Sequence, residues 1–114
     1  MELELKEIRK EISSYENKLI DLINERVSLG EKVAEIKYKY LKEIIDNSDE
    51  KTNYNTITNE VVENKIYTRL KDNIKDEELS NIIINLYREY IIPKTKDVQI
   101  STFNKLKKKK IEVN

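Results

Sequence analysis

The sequence predicts an all-α chain of three helices, the first of them unusually long. Apolar residues recur every three or four positions over about 36 residues, which is the period of an amphipathic helix. The chain of 114 residues also contains only one Gly and one Pro, and tight turns between strands depend on those residue types. A fold of many short strands is therefore disfavoured, and the length fits a single domain.

The first helix is predicted over about residues 3–41. At 1.5 Å per residue it would be about 54 Å long, whereas a compact chain of this size has a radius of gyration of about 13 Å. One chain cannot cover so long an apolar seam, so the pattern predicts a partner chain. Gly30 lies inside this helix and is interpreted as a point of close helix approach. The seam consists of Leu5, Ile8, Ile12, Tyr15, Leu19, Leu22, Leu29, Val33, Ile36 and Tyr40.

The stretch that follows Tyr40 loses the helical period. Residues 42–58 are rich in Asn, Asp, Ser and Thr, and we predict a loop there. Our hypothesis is that this loop covers a pocket. Helical spacing resumes behind Thr58 and Asn59, both competent N-caps, and a second helix is therefore predicted over about 59–73.

A third helix is predicted over about residues 77–102. Asp76 is a competent N-cap, and apolar residues follow it at helical spacing. Pro93 lies inside this segment and is expected to kink it or to open a fourth segment, because proline has no N–H and its ring crowds the preceding turn.

Basic residues are concentrated at the C-terminal end of the chain. We predict that the helical domain covers residues 1–102 and that residues 103–114 form a basic tail that frays. The run from Lys107 to Lys110 contains no aromatic residue. No nucleic-acid partner is therefore expected.

The residue inventory excludes several kinds of chemistry. The chain contains no Cys, no His and no Trp, so disulfides, thiolate or imidazole metal sites and His-dependent nucleophiles are excluded. The first residues are acidic, and no apolar run reaches the roughly 20 residues that a bilayer span needs. We expect a cytoplasmic protein with no membrane partner.

Arg26 stands in the apolar seam, where the pattern requires an apolar residue. Burying an unpaired cation is costly, so an anion must meet it. Three alternatives fit: an acid on a neighbouring helix, a rim position where the guanidinium reaches water, or a bound anionic ligand. Lys37 returns to nearly the same face roughly 16 Å further along the helix, which leaves a gap for a small polyanion.

Arg9 precedes Arg26 by about 25 Å on the same helix, too far to serve the same site. From an antiparallel partner helix it could reach that site. Taken singly, Arg9 and Lys37 are also explained as ordinary cations on a solvated helix face.

The spacing of these three cations within a matched apolar frame resembles the first helix of the all-helical (AroQ-type) chorismate mutases. The resemblance covers most of residues 3–99. It rests on Leu5-Lys-Glu-Ile-Arg9, Asn17-Lys-Leu-Ile-Asp-Leu-Ile-Asn-Glu-Arg26, Leu29-Gly-Glu-Lys-Val-Ala-Glu-Ile-Lys37, Glu63-Asn-Lys-Ile-Tyr-Thr-Arg69 and Ile84-Asn-Leu-Tyr87.

The resemblance implies an intertwined helical homodimer and an isomerase. Each pocket would take Arg26 and Lys37 from one chain and Arg9 from its partner. The reaction would be the Claisen rearrangement of chorismate to prephenate in the biosynthesis of Phe and Tyr, which needs no cofactor and no metal. Arg9 and Arg26 would hold carboxylates, and Lys37 would bond the ether oxygen and a carboxylate.

The resemblance also assigns residues in the second half of the chain. Gln99 would be the second donor to the ether oxygen, and Glu63 would accept from the ring hydroxyl. Thr95 would lie near the ring carboxylate, and Asn59 would belong to the substrate-binding set. Without the resemblance, Glu63, Thr95 and Gln99 are ordinary polar surface.

The sequence departs from the family pattern in three places. Val62 stands where the family usually has an Arg, which leaves that substrate cation to another side chain such as Lys51. The interval from Lys37 to Glu63 is longer than usual, and there is one residue too many between Tyr87 and Gln99. Alternative registers would therefore use Asp46 and Glu50 for Asn59 and Glu63, or Lys94 and Val98 for Thr95 and Gln99.

Two other interpretations stay open from the sequence. The chain could be a lyase of the same fold that acts on isochorismate with the same cations. It could also be a catalytically degenerate helical dimer, in which Arg26 only pairs with an acid.

Overall fold

The computed structural model describes the backbone of residues 1–113 and the side chains of residues 1–108. The part of the chain that it describes contains helices and no strand, which confirms the all-α prediction. In chain order the elements are α1 (Glu2–Asp46), α2 (Glu50–Ile57), α3 (Glu60–Asn73), α4 (Glu77–Leu86), a π-helical turn (Tyr87–Ile91) and α5 (Ile92–Val113).

Helix α1 bends at Leu41, whose φ of −120° and ψ of 23° are not helical, and then resumes for one more turn. The predicted end of the first helix therefore coincides with the bend. Across the bend the Tyr38 hydroxyl donates to Asp46 Oδ1 at 2.8 Å. Burial and the neighbouring carboxylate raise the pKa of Tyr38 to about 12, so this bond persists through neutral pH.

The prediction of a loop over residues 42–58 is wrong, because α1 continues to Asp46 and α2 occupies Glu50–Ile57. Asp49 caps this helix by accepting from the Thr52 N–H at 2.7 Å. The buried Asn53 fastens it to the end of α1, donating from Nδ2 to the Ile45 carbonyl at 3.2 Å. Ile57 then packs in the core. These tertiary contacts order a segment whose own sequence has no helical period.

Helices α3 and α4 begin at the caps that the sequence indicates. Asn59 Oδ1 accepts from the Val62 N–H at 3.2 Å, and Asp76 Oδ1 accepts from the Leu79 N–H at 2.8 Å. Each cap satisfies an N–H group that has no partner within its helix.

The disturbance predicted near Pro93 is a π-helical turn that ends just before it. The Ile92 N–H donates to the Tyr87 carbonyl, five residues back. Pro93 has no N–H for the Glu89 carbonyl and its ring would crowd that group, so a wider turn relieves the conflict. The turn absorbs one extra residue and lets α5 continue.

The predicted boundary at residue 102 is wrong. Phe103 is only 1% exposed, and Lys107 Nζ donates to the Ser48 carbonyl at 3.1 Å. The tail prediction failed because α5 carries core residues beyond residue 102 on its inner face. The prediction that the last residues fray falls on residues 109–114, whose side chains lie outside the described part of the chain. The main core cluster consists of Ala34, Ile45, Ile57, Ile100 and Phe103.

The N-terminal half of α1 extends away from the other helices. The radius of gyration is 19.0 Å and the overall dimensions are 67 × 31 × 18 Å. Ile8, Tyr15 and Leu19 are 51%, 71% and 59% exposed, and Leu29, Ile36 and Tyr40 further along are exposed as well, so the chain leaves its apolar seam uncovered along the length of the helix. Within the described residues, no helix is long and apolar enough to span a membrane.

Helices α1 and α5 make their closest approach at Gly30. A Cβ atom placed on Gly30 would lie 2.7 Å from the backbone oxygen of Thr95 and 3.4 Å from Val98 Cβ. Only a residue without a side chain allows this approach, as the sequence interpretation of Gly30 requires.

Replacing Gly30 by Ala therefore tests the contact. Alanine stabilises a helix by roughly 1 kcal/mol over glycine, but overpacking costs about 1–3 kcal/mol, and the clash here is with backbone. We expect Gly30→Ala to lower the free energy of unfolding, measured by urea denaturation. Ser14→Ala, at an exposed position of α1, is the control and should raise it slightly. An equal gain in both variants would mean that α5 does not rest on Gly30.

Candidate active site

A cavity of about 350 Å³ lies between α1, α3 and α5. Every residue predicted to serve the site from its own chain lines this cavity, and one further cation, Lys96, joins them. The polar lining residues are Arg26, Lys37, Asn59, Glu63, Thr95, Lys96 and Gln99. The apolar lining residues are Val33, Ile57, Val62, Ile66 and Ile92.

Lys37 and Gln99 form a bonded pair in this cavity. The Lys37 ammonium donates to Gln99 Oε1 at 3.1 Å, and Gln99 is only 6% exposed. An ammonium can only donate, so it fixes the amide with its oxygen toward Lys37 and leaves the amide nitrogen as a second donor. Burial lowers the pKa of Lys37 below its ordinary value. The pair places two hydrogen-bond donors side by side.

Arg26 is half-buried, and its guanidinium lies over the Tyr87 ring, 4.9 Å from the ring centroid. Among the residues whose side chains are described, it forms no ion pair with a carboxylate. A neighbouring acid in the same chain therefore does not explain its place in the seam. The aromatic face holds the cation without neutralising it, which leaves Arg26 available to an anion.

Glu63 is paired with a cation that the sequence reasoning missed. Lys96 Nζ lies 2.6 Å from Glu63 Oε1, and the two side chains are 12% and 19% exposed. Lys96 shares a helical face with Ile92, Thr95 and Gln99, at the i, i+3, i+4 and i+7 spacing. That spacing was the available signal, but a lysine on a charged helix is usually a surface residue.

The π-helical turn decides which residues of α5 reach the cavity. A π-helical turn contains one residue more than an α-helical turn, so it accommodates the extra residue between Tyr87 and Gln99. Thr95 and Gln99 consequently line the cavity, whereas Lys94 and Val98 do not.

Other sequence candidates lie elsewhere. Asp46 bonds Tyr38, and Glu50 lines a different groove. Lys51 is exposed on α2 and does not line the cavity, so it is not placed to replace a cation at Val62. Arg9 lies on the exposed N-terminal part of α1 and is absent from the cavity of its own chain.

The cavity is built to receive an anion. Arg26, Lys37 and Lys96 face a single carboxylate, that of Glu63, and the donors converge on a pocket with apolar walls. The family model for chorismate mutase type II matches residues 8–100. The chain belongs to the type II chorismate mutase family. This is a family of isomerases, and its substrate, chorismate, is an anion. No curated protein and no solved structure matches the chain.

The lowered pKa of Lys37 predicts the pH dependence of chorismate mutase activity. The role that the family resemblance implies for Lys37 requires a charged ammonium, and burial lowers its pKa. The value of kcat/KM for chorismate should therefore fall on an alkaline limb whose apparent pKa lies below the ordinary lysine value. In the pH profile of kcat the alkaline limb should lie at higher pH, because the bound dianion stabilises the charged ammonium.

Lys37→Arg is the control for this profile, because a guanidinium stays charged throughout the range. Its residual activity should lack the limb. An unchanged limb in this variant would assign the titration to another group.

Proposed function

We propose that the protein converts chorismate to prephenate as a cofactor-independent homodimer, in the cytoplasmic biosynthesis of Phe and Tyr. The observation that carries the proposal is the partly buried Lys37–Gln99 pair within a cavity lined by further cations. The family membership gives the reaction class, and the cavity offers the charge that this reaction needs.

The rearrangement is a unimolecular step in which an ether C–O bond breaks while a C–C bond forms. No proton is transferred and no nucleophile attacks, so a chain without His or Cys can catalyse it. Negative charge grows on the ether oxygen as the C–O bond breaks. The Lys37 ammonium and the Gln99 amide nitrogen would both donate to that oxygen, and donors already fixed in place stabilise the transition state with little reorganisation.

The remaining groups would hold the folded substrate conformer. Arg26 would bond a carboxylate through its planar fork, oriented by the Tyr87 ring beneath it. Glu63 would accept from the ring hydroxyl. Holding both ends of the substrate selects its reactive conformer on binding, so less conformational entropy is lost in the chemical step.

The roles of Thr95 and Asn59 are constrained by bonds that they already make. The Thr95 hydroxyl donates to the Ile91 carbonyl at 2.6 Å, and Asn59 Oδ1 caps α3. For Thr95 to donate to the ring carboxylate, its hydroxyl must rotate away from the helix. Asn59 keeps its amide N–H groups for the substrate.

The homodimer is proposed from the exposed apolar seam of α1. The exposed apolar seam and Arg9 lie on the same extended segment of that helix. An antiparallel copy of α1 that covered the seam would bring Arg9 of the partner toward the cavity. The same contact would supply both the missing hydrophobic cover and a further cation for the two carboxylates.

Incubation with chorismate tests the activity. Purified protein should accelerate loss of chorismate over the uncatalysed rate, with prephenate identified by chromatography. Lys37→Ala should reduce kcat by about 10²–10³-fold, because it removes one donor to the developing charge. Lys32→Ala, at an exposed position of the same helix, is the matched control and should keep wild-type activity.

Other products would redirect the proposal. Release of pyruvate from isochorismate, without turnover of chorismate, would identify the lyase. No turnover of either substrate by folded protein would identify a degenerate relative in which Val62 leaves the site incomplete.

Mixing inactive variants tests the shared pocket. In a mixture of Arg9→Ala and Lys37→Ala chains, each heterodimer would contain one intact pocket. Random exchange makes half of the dimers heterodimers, so about a quarter of the wild-type activity should return. A mixture of Arg26→Ala and Lys37→Ala chains is the control and should stay inactive, because both residues serve the pocket of their own chain. Equal behaviour of the two mixtures would contradict a contribution from the partner.

A further inference from the structure

Lys96 is a buried cation to which the proposed reaction assigns no role. Its side chain is 12% exposed and lines the cavity between Thr95 and Gln99. Few lysines are buried to this extent unless they are paired, and Lys96 is paired with Glu63 at 2.6 Å.

We propose that Lys96 binds a carboxylate of the substrate and supplies the positive charge that the family usually has at the position of Val62. The inference rests on the proposed function and adds to it a specific substrate-binding residue. It explains how this chain can bind a dianion although the second helix lacks its arginine.

The position of the ammonium supports the replacement. Val62 immediately precedes Glu63 on α3, and Lys96 reaches Glu63 from α5 across the cavity. A lysine ammonium has three N–H donors, and one of them suffices for Glu63. The other two can bond a carboxylate in the cavity while the ion pair stays intact.

The charge of the cavity supports it as well. Without Lys96, Glu63 would cancel one of the two cations, Arg26 and Lys37, that this chain provides. With Lys96, the cations of the described lining exceed its carboxylate by two, and Arg9 of the proposed partner would add to that excess. Coulombic attraction in a poorly hydrated site is strong enough for this difference to govern affinity.

Helix α2 provides the support for Lys96. The Tyr54 ring lies 5.5 Å from Lys96 Nζ, within the range of a cation–π contact. Tyr54 belongs to the stretch that is longer here than is usual in the family. Two departures from the family pattern, the longer connection and the missing arginine, are thereby linked: the added helix holds the replacement cation. Tyr54 acts as a positioning residue.

The test measures steady-state kinetics with chorismate and the affinity for prephenate by calorimetry. Lys96→Met keeps the length of the side chain and removes the charge. We expect KM for chorismate and Kd for prephenate to rise about 10- to 100-fold with little change in kcat, because a carboxylate contact is made before and during the reaction. Lys94→Met, at an exposed position of the same helix, should leave both constants unchanged.

Two double variants separate substrate binding from a purely structural role. If Lys96 only neutralised Glu63, adding Lys96→Met to Glu63→Gln would leave KM at the value of Glu63→Gln alone; we expect KM to rise further. Val62→Arg combined with Lys96→Met returns a cation to the usual position and should lower KM again. Lys96→Gln, which can still bond Glu63, replaces Lys96→Met if that variant does not fold.

The outcomes are distinct from those that test the proposed function. If the wild-type protein does not accelerate loss of chorismate, the proposed function fails. If it does, the role of Lys96 is overturned by an unchanged KM in Lys96→Met, by no further rise of KM when Lys96→Met is added to Glu63→Gln, or by no recovery with Val62→Arg. Tyr54→Leu should raise KM and Tyr54→Phe should not, since only the aromatic face is needed.

Discussion

The packing of α5 on α1 at Gly30 is the contact on which the rest of the structure depends. The two backbones are so close that a single added carbon would meet the Thr95 carbonyl at 2.7 Å. Lys37 follows Gly30 by two helical turns, and Gln99 follows Thr95 by one turn. The distance between the two helix axes therefore determines whether the Lys37 ammonium can reach the Gln99 amide. A contact between two backbones thus fixes the geometry of the two donors. The π-helical turn before Pro93 sets the rotation of α5 about its own axis, and so determines which of its side chains face the cavity.

The sequence could predict the long first helix and the three cations on it, because a period sustained over many turns is a strong signal and a cation in an apolar seam is a visible exception. It could also predict the caps at Asn59 and Asp76, whose side chains act on N–H groups only three residues away. These features are encoded locally. The all-α class and the family follow from them, and the structure and the family match confirm both.

The remaining features depend on contacts between distant residues. Helix α2 is held by the bond from Asn53 to the Ile45 carbonyl and by the burial of Ile57, and neither produces a pattern in a polar segment. The chain beyond residue 102 was predicted to be a basic tail because it is rich in lysine. The single residue Phe103 fixes it in the core. Lys96 was missed for a related reason: only the approach of Glu63 and Tyr54 distinguishes it from the other lysines.

The uncovered seam and the incomplete set of cations have the same origin. Helix α1 is longer than one chain can cover, and Arg9 lies within the long apolar seam that it leaves exposed. In the proposed dimer, hydrophobic burial of that segment would pull an arginine toward a cavity that already attracts anions. Assembly and substrate binding would then be coupled, because the free energy of burying the seam also offsets the repulsion between Arg9 of the partner and the cations already in the cavity. A chain of this length thus completes its active site with the same surface that completes its core.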